Sequence, residues 1–253
     1  MQNVIETQQP SKTVRLGGAA YDLRGISESD PYVSGIRDGF DDDFAGFCRS
    51  HLRPDHQCVD VGANIGITAL IMAERVPDGR VLAIEAAPKV AAVLRDNVSG
   101  KQNITVIESA IGDRDGTVAF DDNSAWGHVS DSGVQVPMRR LQTVLHDNGM
   151  DRVDFIKLDV EGYESVILRD ALPIIQRDNT LVYFEINAFA AIAHAAVNYH
   201  EFAGWLLATF PAVHAVRRGG GLKRMTSIVD IVHTNIVEDR AVSDFVLRSV
   251  AET

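Results

Sequence analysis

Disulfide chemistry is the first thing the chain lacks: its 253 residues include only two cysteines, Cys48 and Cys58, too few for a cross-linked framework. Cys58 lies in an apolar run, where a thiol behaves as a small hydrophobe. Basic charge is also scarce. With 24 basic against 35 acidic residues and a formal charge of −11, the net field repels a nucleic acid backbone, so neither DNA nor RNA is an expected partner. Long apolar runs are missing as well. No segment approaches the roughly 18 uninterrupted apolar residues that cross a bilayer, and the opening MQNVIETQQPSKTV has no apolar leader core. A soluble, cytoplasmic protein is the expectation. No internal repeat or low-complexity tract interrupts the chain, and 45% hydrophobic residues at this length suffice for one substantial core.

What is present is organised around CVDVGANIGITAL, residues 58–70. Cys58, Val59 and Val61 read as a buried strand. Gly62 and Gly66 permit a tight turn and close approach of a ligand to the backbone, and the helical pattern starts at Ile67. A ligand over such a turn meets free N–H groups outside the carboxyl end of a strand.

The same plan recurs along the chain. VLAIEAA before Pro88, NITVIESAIGD (103–113), VDFIKLDVEGYESVIL (153–168) and TLVYFEIN (180–187) each read as an apolar strand closing on an acid or a turn. Helical spacing follows most of them. VRLGGAAYDLRGI (14–26) reads as a glycine-turn hairpin, a lid or simply a flap. The run Asp41–Asp43 suits a helix N-terminus. Residues 121–135 read as a long polar loop around Trp126, and GGGLKRMTS as a flexible connection between two late strands. Apolar strands alternating with helices predict an α/β fold, a Rossmann-like doubly wound and mostly parallel sheet with a small N-terminal flap. Asp60, Glu85, Asp113, Asp159 and Glu185 then line one edge of that sheet.

That acidic edge bears on the ligand. A dinucleotide site carries G-x-G-x-x-G and receives a pyrophosphate. Here the glycines are spaced G-x-x-x-G behind Asp60, whose carboxylate repels a pyrophosphate and attracts a cation. S-adenosylmethionine offers an ammonium, a sulfonium and a ribose diol. Glu85, 25 residues after Asp60, stands near the roughly 20-residue offset at which an acid reads ribose.

DVGANIG (60–66), IEAAP (84–88), NITVIESAIGDRDGTV (103–118), VPMRRL (136–141) and IKLDVEGYE (156–164) together resemble the FkbM-family methyltransferases over residues 40–190. The resemblance implies an S-adenosylmethionine-dependent O-methyltransferase acting on hydroxyls of sugars or of secondary metabolites such as polyketides and glycolipids. One departure is Ala86, where the family has an E-P pair and this chain places Pro88 two residues later. On this reading residues 1–45 are an N-terminal arm, hairpin and helix start, and 46–253 the methyltransferase domain. The acceptor is a small or glycosylated molecule recognised by loops 24–40, 121–135 and 188–200. The sequence leaves a homo-oligomer open.

Asp60, Gly62, Asn64 and Gly66 are assigned to the methionine end of the cofactor and Glu85 to its ribose. The resemblance places Ser109, Ala110 and Ile111, ahead of Asp113, at the adenine. Asp159 and Glu161 are candidates to orient the acceptor hydroxyl or take its proton, and Asp159 could instead hold the cofactor's ammonium. Glu164 could simply favour its helix N-terminus. Lys157, inside a strand, is expected to pair with a neighbouring acid. His128 is a candidate general base; the alternative is an ordinary loop histidine, and His194 and His200 are further candidates. A Mg²⁺ site built from Asp159, Glu185 and Asn187 is a weaker alternative, since the spacing is E-x-N where some small O-methyltransferases have adjacent ligands. The rival functions are an NAD-dependent dehydrogenase and a non-catalytic cofactor-binding module.

Overall fold

The computed structural model describes residues 11–27, 30–121 and 127–250. Its centre is an eight-stranded sheet. In chain order the strands are β1 (Gln57–Val61), β2 (Arg80–Glu85), β3 (Ile104–Glu108), β4 (Phe155–Leu158), β5 (Leu181–Asn187), β6 (Ala212–Val216), β7 (Leu222–Arg224) and β8 (Val242–Arg248). Across the sheet they run β3-β2-β1-β4-β5-β8-β6-β7. The first five of these are parallel, and β8, β6 and β7 join antiparallel. Chain order reverses between β1 and β4, which opens a crevice at their carboxyl ends.

Two cores flank the sheet because strand side chains alternate in direction. Cys58, Val81, Ala83, Phe155, Tyr183 and Val246 face one core with the helices Asp42–His51, Ile67–Arg75 and Pro88–Val98. Val59, Leu82, Ile84, Ile156, Phe184 and Phe245 face the other with Leu141–Asp147, Glu164–Asp178 and Tyr199–Thr209. Burial on both faces explains why the parallel strands carry continuous apolar runs.

The N-terminal hairpin pairs Lys12–Leu16 with Ala19–Leu23. Gly17 and Gly18 turn it at φ 57° and 103°, as a two-residue hairpin turn requires. It is not a lid. Val14, Leu16 and Leu23 join the first core, and Tyr21 donates to Glu74 at 2.7 Å on the Ile67–Arg75 helix. The segment after it, Tyr32 to Asp41, is what reaches the crevice.

Two stretches differ from expectation. Within 121–135, the described residues include His128–Val129 and the start of Val134–Arg140, strands of a four-stranded satellite sheet with Ala110–Gly112 and Gly116–Asp121. Only Val136 and Met138 of the 134–140 strand are buried, so its alternation is hidden among polar residues. Trp126 lies outside the described residues. GGGLKRMTS is not simply a connection, since β7 forms there as a fully exposed edge strand paired with β6. An exposed edge buries no side chain and so leaves no apolar pattern to read.

Candidate active site

A cavity of about 760 Å³ occupies the crevice. Its floor begins with the glycine turn. Gly62 and Ala63 each donate to Ile84 O at 3.0 Å, tying the turn to β2. Gly62 has φ 79°, and a Cβ there would stand 1.7 Å from Asp159 O, so the switch point closes only around glycine. Gly66 differs in purpose. Its missing Cβ makes room for Leu94 and Val98, and Gly66 is not among the residues that line the cavity.

Glu85 organises this turn. Its Oε2 accepts from Asn64 N and its Oε1 from Ala87 N, both at 2.9 Å. Burial pushes its carboxyl up while these N–H groups pull it down. The Ala86 N–H bonds to this carboxylate as well, and Glu85 lines the cavity. Asn64 sits at φ 50° with its Oδ1 accepting from Ile65 N at 2.8 Å.

Asp60 lies beneath the wall, fully buried, with Thr68 Oγ1 donating to its Oδ2 at 2.6 Å. Among the described residues its Oδ1 has no hydrogen-bond partner. Burial raises its carboxyl, opposed by the Lys157 ammonium. Ser109 is also committed elsewhere: its Oγ donates to Ala110 O at 2.8 Å and Pro137 O at 3.1 Å, binding β3 to the satellite sheet. Ser109, Ala110 and Ile111 do line the cavity. Asp113 does not; it pairs with Arg114 at 3.1 Å on the surface. A carboxylate two residues past the wall belongs to the satellite-sheet turn, which its place in the sequence did not disclose.

The second half of the cavity is acidic. Lys157 Nζ donates to Asp159 Oδ2 at 3.0 Å. Although burial works against its charge, Asp159, Asp60 and Asp41 hold the ammonium well above its ordinary value. Glu185 is pushed up to about 9 by burial and by Asp159 and Asp244. Asp41 rises to about 6, mainly through burial. Glu161 also rises, through burial and Asp159.

Glu161 adopts φ 53°, a left-handed conformation that costs a non-glycine residue about 1 kcal/mol or more. Three contacts hold it there. Asn187 Nδ2 donates to its Oε2 at 3.2 Å, His194 Nδ1 lies 3.1 Å from its carbonyl, and Gly162 packs where a Cβ would meet Ala190 O at 2.5 Å. From the other side, Glu164 accepts from Val160 N at 2.9 Å and from Gly162 N at 3.1 Å. Glu164 is buried, and burial lifts it to about 7. Its place is structural, clamping the turn that presents Glu161.

Carboxylate oxygens of Asp159, Glu161 and Glu185 lie within 4.8 Å of one another. Asn187, a member of the weaker Mg²⁺ alternative, is used otherwise: its Oδ1 accepts from Ala190 N at 3.1 Å as a helix cap while its Nδ2 holds Glu161. The Lys157 ammonium already neutralises part of the acid cluster, so these residues do not fit a dedicated Mg²⁺ cage.

Two histidines complete the wall. The His128 and His194 rings stack at 3.7 Å and 10°, joining the satellite sheet to the Ala188–Ala195 helix. His200 is outside the cavity. Tyr32, Phe40 and Asp41 line it from the N-terminal side; Tyr32 and Phe40 belong to loop 24–40, and the helix that follows packs Phe44 and Phe47 over Phe155 and Tyr183.

The strand order, the switch-point cavity and the acidic strand ends define a class I methyltransferase fold. Residues 60–214 match the model of the methyltransferase FkbM domain, and the chain belongs to that family. It is 27% identical to the 2-O-methyltransferase NoeI of Sinorhizobium fredii over 46% of this chain, and 26% identical to methyltransferase sdnD of Sordaria araneosa over 44% of it. The matches span 57% and 58% of those relatives. Among solved structures, a Klebsiella pneumoniae protein provisionally described as an O-methyltransferase superposes with a TM-score of 0.50 at 14% identity, covering 87% of this chain and 83% of that one. No helix among the described residues is long and apolar enough to cross a membrane.

Proposed function

We propose that this chain transfers a methyl group from S-adenosylmethionine to a hydroxyl oxygen of a sugar or secondary metabolite of polyketide or glycolipid type. The observation that carries this reading is the acid-lined cavity at the switch point. Glu85, Asp159, Glu161 and Glu185 line it, and Lys157, already bonded to Asp159, is the one lysine or arginine on the described wall. Such a wall repels pyrophosphate and suits a cationic cofactor.

When bound, the cofactor supplies an electrophilic methyl carbon on a sulfonium. Glu85 would receive the ribose diol, Ala110 and Ile111 would flank the adenine, and the turn from Gly62 to Asn64 would take the methionine end with Asp159. Glu161, held rigidly in its left-handed turn, would orient the acceptor hydroxyl, since placing the two reacting atoms in line supplies most of the rate in such a displacement. Family membership and the likeness to NoeI, a 2-O-methyltransferase, support oxygen as the methylated atom.

Calorimetry with S-adenosylmethionine and with NAD tests the cofactor, and binding of NAD alone would sink the reading. Mass spectrometry of a panel of methyl glycosides and hydroxylated macrolides incubated with the cofactor tests the reaction. The non-catalytic module remains the other reading; unchanged function in the host after replacing Asp159 and Glu161 together with amides would favour it.

A further inference from the structure

We infer that His194 is the general base that takes the acceptor's proton, with Nε2 as the basic atom; the inference rests on the methyl-transfer reading above. His194 Nδ1 lies 3.1 Å from Glu161 O. A carbonyl oxygen can only accept, so Nδ1 carries the hydrogen in the neutral ring and Nε2 keeps its lone pair. The ring belongs to the cavity wall. Its plane is held by the parallel His128 ring at 3.7 Å.

Tautomer and orientation are thus both set, by a carbonyl on one edge and a stacked ring on one face, the arrangement a general base needs. Among the described residues, no hydrogen bond to a His128 ring nitrogen accompanies the stack, which distinguishes the two histidines. The counter-charge is also in place. An imidazolium on His194 and the Glu161 carboxylate attract each other electrostatically.

The step balances. The acceptor's proton moves to Nε2 as an oxygen electron pair forms the new C–O bond; the C–S bond breaks and leaves its pair on sulfur. The products are a methyl ether, a neutral thioether and an imidazolium, which returns its proton to water.

Nitrogen-15 NMR of the cofactor-free wild-type protein, with His194 assigned from its absence in His194→Asn, tests the tautomer directly. A protonated Nδ1 and bare Nε2 are expected; a protonated Nε2 overturns the inference. Asparagine at 194 can still donate to Glu161 O but has no basic nitrogen. With whichever acceptor of the panel wild type methylates, His194→Asn should lower kcat about 10²- to 10⁴-fold. Affinity for S-adenosylhomocysteine should stay within about two-fold, and KM for the acceptor should change far less than kcat. His146→Asn, on the exposed side of the Leu141–Asp147 helix and away from the cavity, should be unchanged. Retention of kcat within about three-fold, or loss of S-adenosylhomocysteine binding, would make His194 a strut and refute the role. If wild type methylates nothing on the panel, the methyl-transfer reading is what fails, and the tautomer is still decided by NMR.

Discussion

Replacing Lys157 by methionine removes the one ammonium from a nest of buried carboxylates while keeping a side chain of similar length. Lys157 is nearly buried, 3.0 Å from Asp159 Oδ2, and its charge is also felt by Asp60 and Asp41. Two unit charges at that distance attract by about 5 kcal/mol at an effective dielectric of about 20. Removing one partner of a buried pair destabilises by about 3–5 kcal/mol, because the other charge is left uncompensated. In the variant, Asp60 loses the cation that opposes the rise burial imposes on its carboxyl, so the chain folds more easily with that group protonated. A carboxyl whose folded value is raised contributes stability below its ordinary value and loses it as pH rises. The deficit of Lys157→Met should therefore be largest near pH 8 and smaller near pH 5. Urea unfolding at the two pH values reads this as a midpoint shift at constant slope. A deficit under about 1 kcal/mol at pH 8, or equal deficits at both pH values, would refute the view that Lys157 neutralises the site.

Gly62→Ala should cost more than about 1 kcal/mol and abolish S-adenosylhomocysteine binding in calorimetry, since its Cβ would overlap Asp159 O at 1.7 Å. Glu185 titrates at about 9 in the folded chain against an ordinary 4.5, so its contribution to stability is full below about 4.5 and is lost as pH climbs towards 9. Glu185→Gln should flatten that slope, gaining melting temperature relative to wild type at pH 9 compared with pH 6; parallel profiles would remove Glu185 as the cause. Methyl transfer should persist in excess chelator because Lys157 shares the Asp159 carboxylate with its acidic neighbours. Loss of activity restored by Mg²⁺ would instead make Asp159, Glu161 and Glu185 a metal site.

The strands and their acids were readable because parallel strands buried on both faces leave continuous apolar runs, and because a glycine turn has few uses behind a strand. Those signals place Gly62, Glu85, Asp159 and Glu161 around one crevice without coordinates. They could not tell Gly66, a glycine for helix packing, from Gly62, a glycine for strand crossing; both need a missing Cβ. Nor could they follow Ser109 and Asn187, whose side chains turn to backbone groups of neighbouring elements. Polar residues that satisfy the fold look identical in sequence to those that meet a ligand. Loop 24–40 carries Tyr32 to the site as its reading implied, but Asp41 reads only as a helix start: its place beside the cavity depends on aromatic packing between a helix and strands more than a hundred residues away.

The charge row follows from strand register. Asp60 pairs with Lys157 across β1 and β4, Lys157 with Tyr183 across β4 and β5, and Glu185 with Asp244 across β5 and β8. Because side chains alternate, these residues fall on one face of the sheet, the face that the Asp42–His51 helix covers. A one-residue slip of β4 would send Lys157 to the opposite core and leave the acids without their cation. The lysine therefore discriminates between registers as well as neutralising charge. Burial raises Glu185 and Asp41 on the cavity wall in spite of this lysine, and it raises Asp244 and Asp60 off that wall as well, so the row as a whole carries more acid than its one lysine offsets.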